Sequence, residues 1–342
     1  PGLLESYVEE LRGDALYADA DYAAALSAYQ TALTASRLDD GIGLEIKVGR
    51  SHAGIGDYAN ALATYDTIFA RTNNDYVKAQ MDYLAGYTQR LLGESEAAYE
   101  RYLHAVENYP LAYDSYVALV ELVDAGIPVN DFDRGLVDYY AGQYDVALVA
   151  FDRYIKNNSE NDGTVHYYRA LTLDTFSRYD EELVAWDTFI NNYSGNARWS
   201  DGWEEKAYLQ WLSFDNNKAA AQTLLDFVRV APSNEDAPDF LMLAARILEY
   251  DNQLEEAASV WASVSDAYPS SDLVSDALFL AGITSYRLDD YAQALTYFQR
   301  DLLLSIDPGD QARAYLWIGK TQQQLGDNEA KQTAWQQAQS VN

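Results

Sequence analysis

Apolar residues recur three and four positions apart in short blocks along this chain, and polar turns separate the blocks. Between Asp21 and Leu33 the apolar positions Ala25, Tyr29, Ala32 and Leu33 share one helical face, which predicts a helix with a single buried stripe. A shorter block, Gly13-Asp14-Ala15-Leu16, precedes it, and the two-block unit slides down the chain. It recurs as Gly49 with Asp57-Tyr58, Ala61-Leu62 and Tyr65; as Gly86 with Gly93-Glu94, Ala98-Tyr99 and Tyr102; and as Gly135 with Gly142, Tyr144, Ala147-Leu148 and Phe151. Looser copies follow: Ala170 with Tyr179, Trp186 and Phe189, Tyr208 with Ala220, Leu224 and Phe227, and Ala245 with Leu254, Ala257 and Trp261. Gly282 with Asp290-Tyr291 and Phe298, then Gly319 with Gly326-Asp327 and Trp335, complete the series. The pattern predicts an all-α chain of about nine helix-turn-helix repeats.

The small residues of the first helix (Gly13, Gly49, Gly86) and the alanines of the second (Ala25, Ala61, Ala98) belong where two helix backbones approach closely. Tyr29, Tyr65, Trp186 and Phe298 are then left to fill the gap toward the next repeat. Gly56-Asp57 and Asp289-Asp290 read as turns in which a helix end meets an N-cap Asp, and Pro110, Pro232 and Pro269 mark the ends of second helices. No single repeat can bury its own stripe, so stability must come from stacked neighbours. One interval is longer. Between Gly86 and Gly135, an amphipathic stretch from about Leu111 to Asp124 precedes Gly126 and Pro128, which predicts an extra helix that bends or re-phases the array. The expected organisation is repeats 1–3 over 1–110, the inserted helix and its Gly/Pro turn over 111–130, and repeats 4–9 over 131–342, as one continuous solenoid.

These features resemble the tetratricopeptide repeat over nearly the whole chain. Shared are the small residue in the first helix, the aromatic near the turn, the Ala and large aromatic in the second helix, and the terminal Pro. Copies are spaced roughly 35 to 38 residues apart, against 34 in that family. The resemblance implies an all-α, right-handed α-solenoid of about nine helix-turn-helix repeats with one inserted helix, acting as a non-catalytic scaffold for protein partners. Members that clamp a partner's terminal carboxylate use Lys, Arg and Asn. Only seven Lys occur here, and none repeats at the first-helix positions, so an acidic peptide tail is not the expected ligand. The segments Ala314-Tyr315-Leu316-Trp317-Ile318-Gly319-Lys320 and Trp335-Gln336-Gln337-Ala338 also resemble the helical solenoid that precedes the catalytic domain of soluble lytic transglycosylases. That family's catalytic Glu-Ser and following Gly-Leu-Met-Gln are not carried over, because Glu5-Ser6 and Glu94-Ser95 fall inside repeat helices. The alternative this implies is the N-terminal solenoid of a cell-wall enzyme whose catalytic domain lies elsewhere.

Charge narrows the partner. With 54 acidic against 23 basic residues and a net charge of −31, the chain lacks the cationic stripe that nucleic-acid phosphates require, and an anionic membrane surface is disfavoured for the same reason. No apolar run approaches the length of a membrane span. Without cysteine there is neither a disulfide framework nor a thiolate metal site. The opening Pro1-Gly2-Leu3-Leu4 has no signal-peptide features. Dense carboxylates and few Lys suit an extracellular, cell-envelope or high-salt setting, with a cytoplasmic one still allowed, and they favour diffuse binding of divalent cations.

Chemistry-bearing motifs are few. His52, His104 and His166 fall in different repeats, out of helical reach of one another, and read as packing residues. There is no HExxH, nucleophile elbow or phosphate-binding loop, so no catalytic residue, cofactor or metal is expected. The segment Asn158, Glu160, Asp162, Gly163 follows the opening of an EF-hand loop, yet it begins with Asn and places Arg169 where the bidentate Glu belongs. The best candidate contact patch is Trp199, Trp203, Tyr208 and Trp211, rings at helical spacing near a repeat boundary. End-to-end self-association is the leading specific proposal, through Leu4, Tyr7, Val8 and Leu11 on a helix entered from Pro1 and through Trp335 near the other end. Such heterologous contacts grow filaments when they do not close. The polar Gln322–Gln339 stretch, ahead of Asn342, is the candidate cap.

Overall fold

The computed structural model describes residues 3–341 and is helical throughout, with no strand among them. The helices expected to open at Pro1 and to precede Asn342 are present, but those two residues lie outside the described ones. Two compact units divide the chain, Pro1–Asn161 and Asp162–Asn342. The first holds α1 (Leu3–Ala18), α2 (Tyr22–Thr34), α3 (Ile42–Gly54), α4 (Tyr58–Arg71), α5 (Asp75–Leu91), α6 (Ser95–Asn108), α7 (Tyr113–Asp124), α8 (Asp131–Tyr140) and α9 (Tyr144–Asn157). The second holds α10 (Thr164–Thr175), α11 (Tyr179–Asn192), α12 (Trp199–Tyr208), a π-helical segment (Leu209–Ser213), α13 (Asn217–Val230) and α14 (Ala237–Tyr250). It continues with α15 (Leu254–Ala267), α16 (Val274–Arg287), α17 (Tyr291–Leu304), α18 (Pro308–Leu325) and α19 (Asn328–Val341). Within each unit consecutive helices pack on one another as tetratricopeptide-like pairs, the arrangement of an α-solenoid.

One device repeats in six of the pairs. A ring on the second helix packs on a glycine of the first, sixteen positions earlier: Tyr29 on Gly13, Tyr65 on Gly49, Tyr102 on Gly86, Phe151 on Gly135, Phe298 on Gly282 and Trp335 on Gly319. A Cβ added to any of these glycines would stand 2.2–2.5 Å from a ring atom, closer than carbon atoms approach without displacement. At Gly86 it would also meet the Ala98 backbone oxygen at 3.0 Å, so the paired small residues mark the closest backbone approach. The rings face two ways. Tyr29 also packs with Leu44 and Val48 of α3, and Tyr65 with Met81, Leu84 and Ala85 of α5. Tyr29 and Tyr65 therefore each join their own pair and tie it to the next.

The turns are as regular. Seven residues after each small residue the backbone enters the left-handed region, at Ala20, Gly56, Gly93, Gly142, Ser177, Asn252, Asp289 and Gly326, ending the first helix. Asp57 and Asp290 then accept from the amides of Asn60 and Gln293 as N-caps. Ala20, at φ 61°, holds a conformation that a Cβ disfavours by about 1–2 kcal/mol. Replacing it with glycine removes that strain at the expense of unfolded-chain entropy, so Ala20→Gly is expected to raise unfolding free energy by about 0.5–1 kcal/mol, measurable by urea titration.

Two departures interrupt this regularity. The inserted helix α7 packs on both α5 and α6, as a first helix without its partner, and Ile127 and Val129 from the following turn fold onto the cluster of Tyr102, Leu119, Leu122 and Val137. The second departure lies in α12. Counting from the left-handed residue Asp215, the seventh earlier position is Tyr208, but the buried small residue is Ala207 and the buried large one is Leu224. The π-helical segment supplies the extra residue. The sequence pattern, centred on Tyr208, is thus displaced by one position in this pair.

Candidate interaction surface

The four aromatics picked out by their spacing divide into two roles. Trp199 donates its indole N–H to the Ile190 carbonyl at 2.7 Å. Its ring meets Trp203 edge-on, and both lie against the buried Phe227 at 5.4 and 6.0 Å, so this half braces the core. Tyr208 and Trp211 stack on each other at 6.4 Å, and Trp211, which also packs on the core cluster around Phe227, meets Tyr250 edge-on. Tyr250 is 72% exposed and Leu212 of the π-helical segment 70%. The exposed part of the patch is therefore Leu212 and Tyr250, with Tyr208 and Trp211 half-buried beside them. Tyr250, at the end of α14, escaped the sequence pattern because it reaches this face only after folding.

Beside Tyr208 opens a cavity of about 400 Å³ between α10, α11, α12 and the π-helical segment. Three carboxylates from three helices line it, Asp174, Glu182 and Glu205, along with Leu171, Leu209 and Leu212. Glu182 is 4% exposed. One of its oxygens accepts from the Trp186 indole at 3.0 Å, while the other, Oε2, has no hydrogen-bond partner. Burial pushes the Glu182 carboxyl up to about 7, the Trp186 hydrogen bond opposes the rise, and the neighbouring charges of Asp174 and Glu205 add to it. Burial raises Glu205 as well, joined by repulsion from Glu204, Asp174 and Asp201. These residues carry no local signature, because only the packing of three helices brings positions 174, 182 and 205 together.

On α1, Leu4, Val8 and Leu11 form an exposed apolar stripe at 76%, 59% and 67% exposure. Tyr7 turns inward, its hydroxyl accepting from the Leu38 amide at 3.0 Å under the Arg37 guanidinium. Trp335 spends its ring on Gly319 and donates to the Leu316 carbonyl at 3.4 Å, which makes it part of the α18–α19 pairing. Lys47, on a first helix, is held by Glu10 and Asp14 at 2.8 Å each. In the first unit Tyr17, Tyr22, Tyr58, Tyr87 and Arg50 line another cavity of about 380 Å³. Tyr17 and Tyr22 meet edge-on at 5.0 Å, and the same contact between helix end and helix start recurs as Tyr139 with Tyr144 and Tyr286 with Tyr291.

The histidines have local partners: His52 with Asp57, His104 with Asp82, and His166 with the Tyr193 hydroxyl. Burial lowers the His166 pKa, with Arg169 acting in the same direction. In the calcium-like segment, Asp162 accepts from the Thr164 amide and Gly163 adopts φ 91° as the N-cap of α10. Among the described residues no group of three or more His, Asp or Glu side chains has the geometry of a metal site, and no helix is long and apolar enough to cross a membrane.

Family profiles described as tetratricopeptide repeat match residues 132–188 and 276–300. No curated protein matches the sequence. Similar solved structures include the C-terminal part of a TPR repeat-containing protein from Cytophaga hutchinsonii (15% identity, 78% of this chain and 98% of that one, TM-score 0.37). Another is a tetratricopeptide repeat protein from Parabacteroides merdae (15% identity, 77% and 93%, TM-score 0.33). A third is the TPR2AB-domain:pHSP90 complex of yeast Sti1 (14% identity, 98% and 98%, TM-score 0.31). Neither profile match supports the likeness to lytic transglycosylases. The ring-over-small-residue pairing occurs within both matched segments and also before the first and after the second, so the chain carries tetratricopeptide repeats.

Proposed function

We propose that this chain is a non-catalytic scaffold for protein partners and that copies of the chain are among them, associating head to tail. The supporting observation is the stripe of Leu4, Val8 and Leu11 on α1: a helix of this fold hides its apolar residues against a neighbouring helix, and these three face outward. An extracellular or envelope setting fits the charge of −31, which also gathers divalent cations diffusely and so weakens repulsion between copies.

Size-exclusion chromatography with light scattering tests the association, using the chain and its Leu4→Glu/Leu11→Glu variant at low and high salt. Particles above 38.3 kDa that grow with concentration, and that fall to the single-chain mass in the variant, are the expected result. A 38.3 kDa particle at every concentration and both salts removes self-association from the proposal.

A further inference from the structure

We infer that the cavity between α10, α11, α12 and the π-helical segment is a binding site for an alkylammonium or guanidinium group, namely a Lys or Arg side chain of a protein partner. Three observations converge there. Glu182 is almost fully buried, yet its Oε2 has no partner and the residue lines the cavity. A buried acceptor without a donor costs free energy comparable to a lost hydrogen bond, and more when the group is ionised. Asp174 and Glu205 line the same space from two other helices, which gives the walls one sign of charge. Leu171, Leu209 and Leu212 supply the aliphatic part of the lining, suited to the methylene stem behind a charged head.

The occupant's chemistry follows from this mixture. A hard divalent ion needs several oxygens converging at short range, and no such grouping exists among the described residues. A long cationic side chain needs one or two carboxylates at the end of an apolar slot. The π-helical segment contributes Leu209, Leu212 and Ser213 to the wall, so the residue inserted into this repeat helps shape the opening. Beside it stand Tyr208 and Trp211, faces on which a cationic group can also rest.

Proton and cation compete for Glu182. The charged groups acting on it are Asp174 on α10 and Glu205 on α12; Glu205 is in turn affected by Glu204 and Asp201, and Tyr208 lines the same cavity, its hydroxyl held up by burial and Glu204. Of the cations nearby, Lys206 is paired with Asp187 and Arg178 with Glu181. Because the Glu182 carboxyl sits at about 7, a cation must displace its proton at pH 6 but finds it ionised at pH 8. Binding should be tighter at the higher pH and should release a proton at the lower one.

The test is a nuclear magnetic resonance titration of the folded chain with n-butylammonium and n-butylguanidinium. It follows the Trp186 indole N–H, which donates to Glu182 and is assigned by its loss in Trp186→Phe. Saturable shifts are expected, weaker by about tenfold or more in Glu182→Gln and weaker at pH 6 than at pH 8. Glu205→Gln, at a less buried position, gives the same comparison if Glu182→Gln does not fold. Glu255→Gln, which removes one exposed charge from α15, is expected to change nothing. The inference fails if no saturable shift appears, if Glu255→Gln weakens binding as much as the cavity variants, or if calcium or magnesium saturates the same resonance more tightly. It rests on the scaffold reading only for the source of the cation, so its failure leaves the light-scattering result untouched.

Discussion

Trp261→Ala is expected to lower the unfolding free energy of the second unit by about 3–5 kcal/mol, the range for truncating a large buried aromatic. Trp261 has no exposed surface, and it lies in the cluster that joins Phe227, Phe240, Ala245, Leu248 and Leu278. That cluster draws on helices on both sides of its own pair, so the cavity left behind cannot close by moving one neighbour. Trp261→Phe should cost less than half as much, because the indole nitrogen has no hydrogen-bond partner and a smaller ring forfeits only volume. Trp186 offers the contrast: it is equally buried, but its indole serves Glu182, so Trp186→Phe loses a hydrogen bond to a buried carboxylate as well as volume. Urea midpoints for the four variants should fall in the order Trp261→Phe above Trp186→Phe above the two alanine forms. Equal midpoints for the two phenylalanine variants would show that the Glu182 hydrogen bond contributes nothing. Hydrogen exchange would add where the loss is felt, since a solenoid transmits it chiefly to adjacent helices.

The contrast between these tryptophans also shows how much of the molecule is legible in its sequence alone. The helix pairs are, because their signal is local: a stripe at helical period, a small residue, a turn and a ring all fall within one repeat. So is the inserted helix, since Gly126 and Pro128 close it. The sixth pair is misplaced by one residue, because a π-helical insertion adds a position without changing the apolar pattern, and Tyr208 happens to stand where a small residue is sought. The aromatic patch is legible as a cluster but not as two roles, because spacing alone does not say which ring meets Phe227 and which meets Tyr250. The acidic cavity is not legible at all. Asp174, Glu182 and Glu205 each look like ordinary surface acids on a strongly acidic chain, and only burial makes Glu182 unusual.

Gly49→Val should cost about 1–3 kcal/mol, and more if the α3–α4 pair separates. A Cβ at this position would stand 2.5 Å from Tyr65 Cε1 and 3.1 Å from Cδ1. The ring cannot turn away, since Tyr65 is buried against Ile46, Ile68 and Met81. Relief therefore has to come from the backbone, by moving one helix of the pair off the other. Gly43, six residues earlier on α3, has nothing within 4 Å of the same added atom. Gly43→Val should change stability only by the helix propensities of the two residues, and in the favourable direction. Tyr65→Leu opens the space that the valine needs, so the double variant Gly49→Val/Tyr65→Leu should be more stable than the sum of its single losses, with a coupling of about 0.5–3 kcal/mol. Strict additivity in that cycle would mean that the ring is not what keeps the position small. The same cycle at Gly282 and Phe298, where the added atom would lie 2.5 Å from the ring, should return the same sign, because ring and small residue recur together throughout the fold.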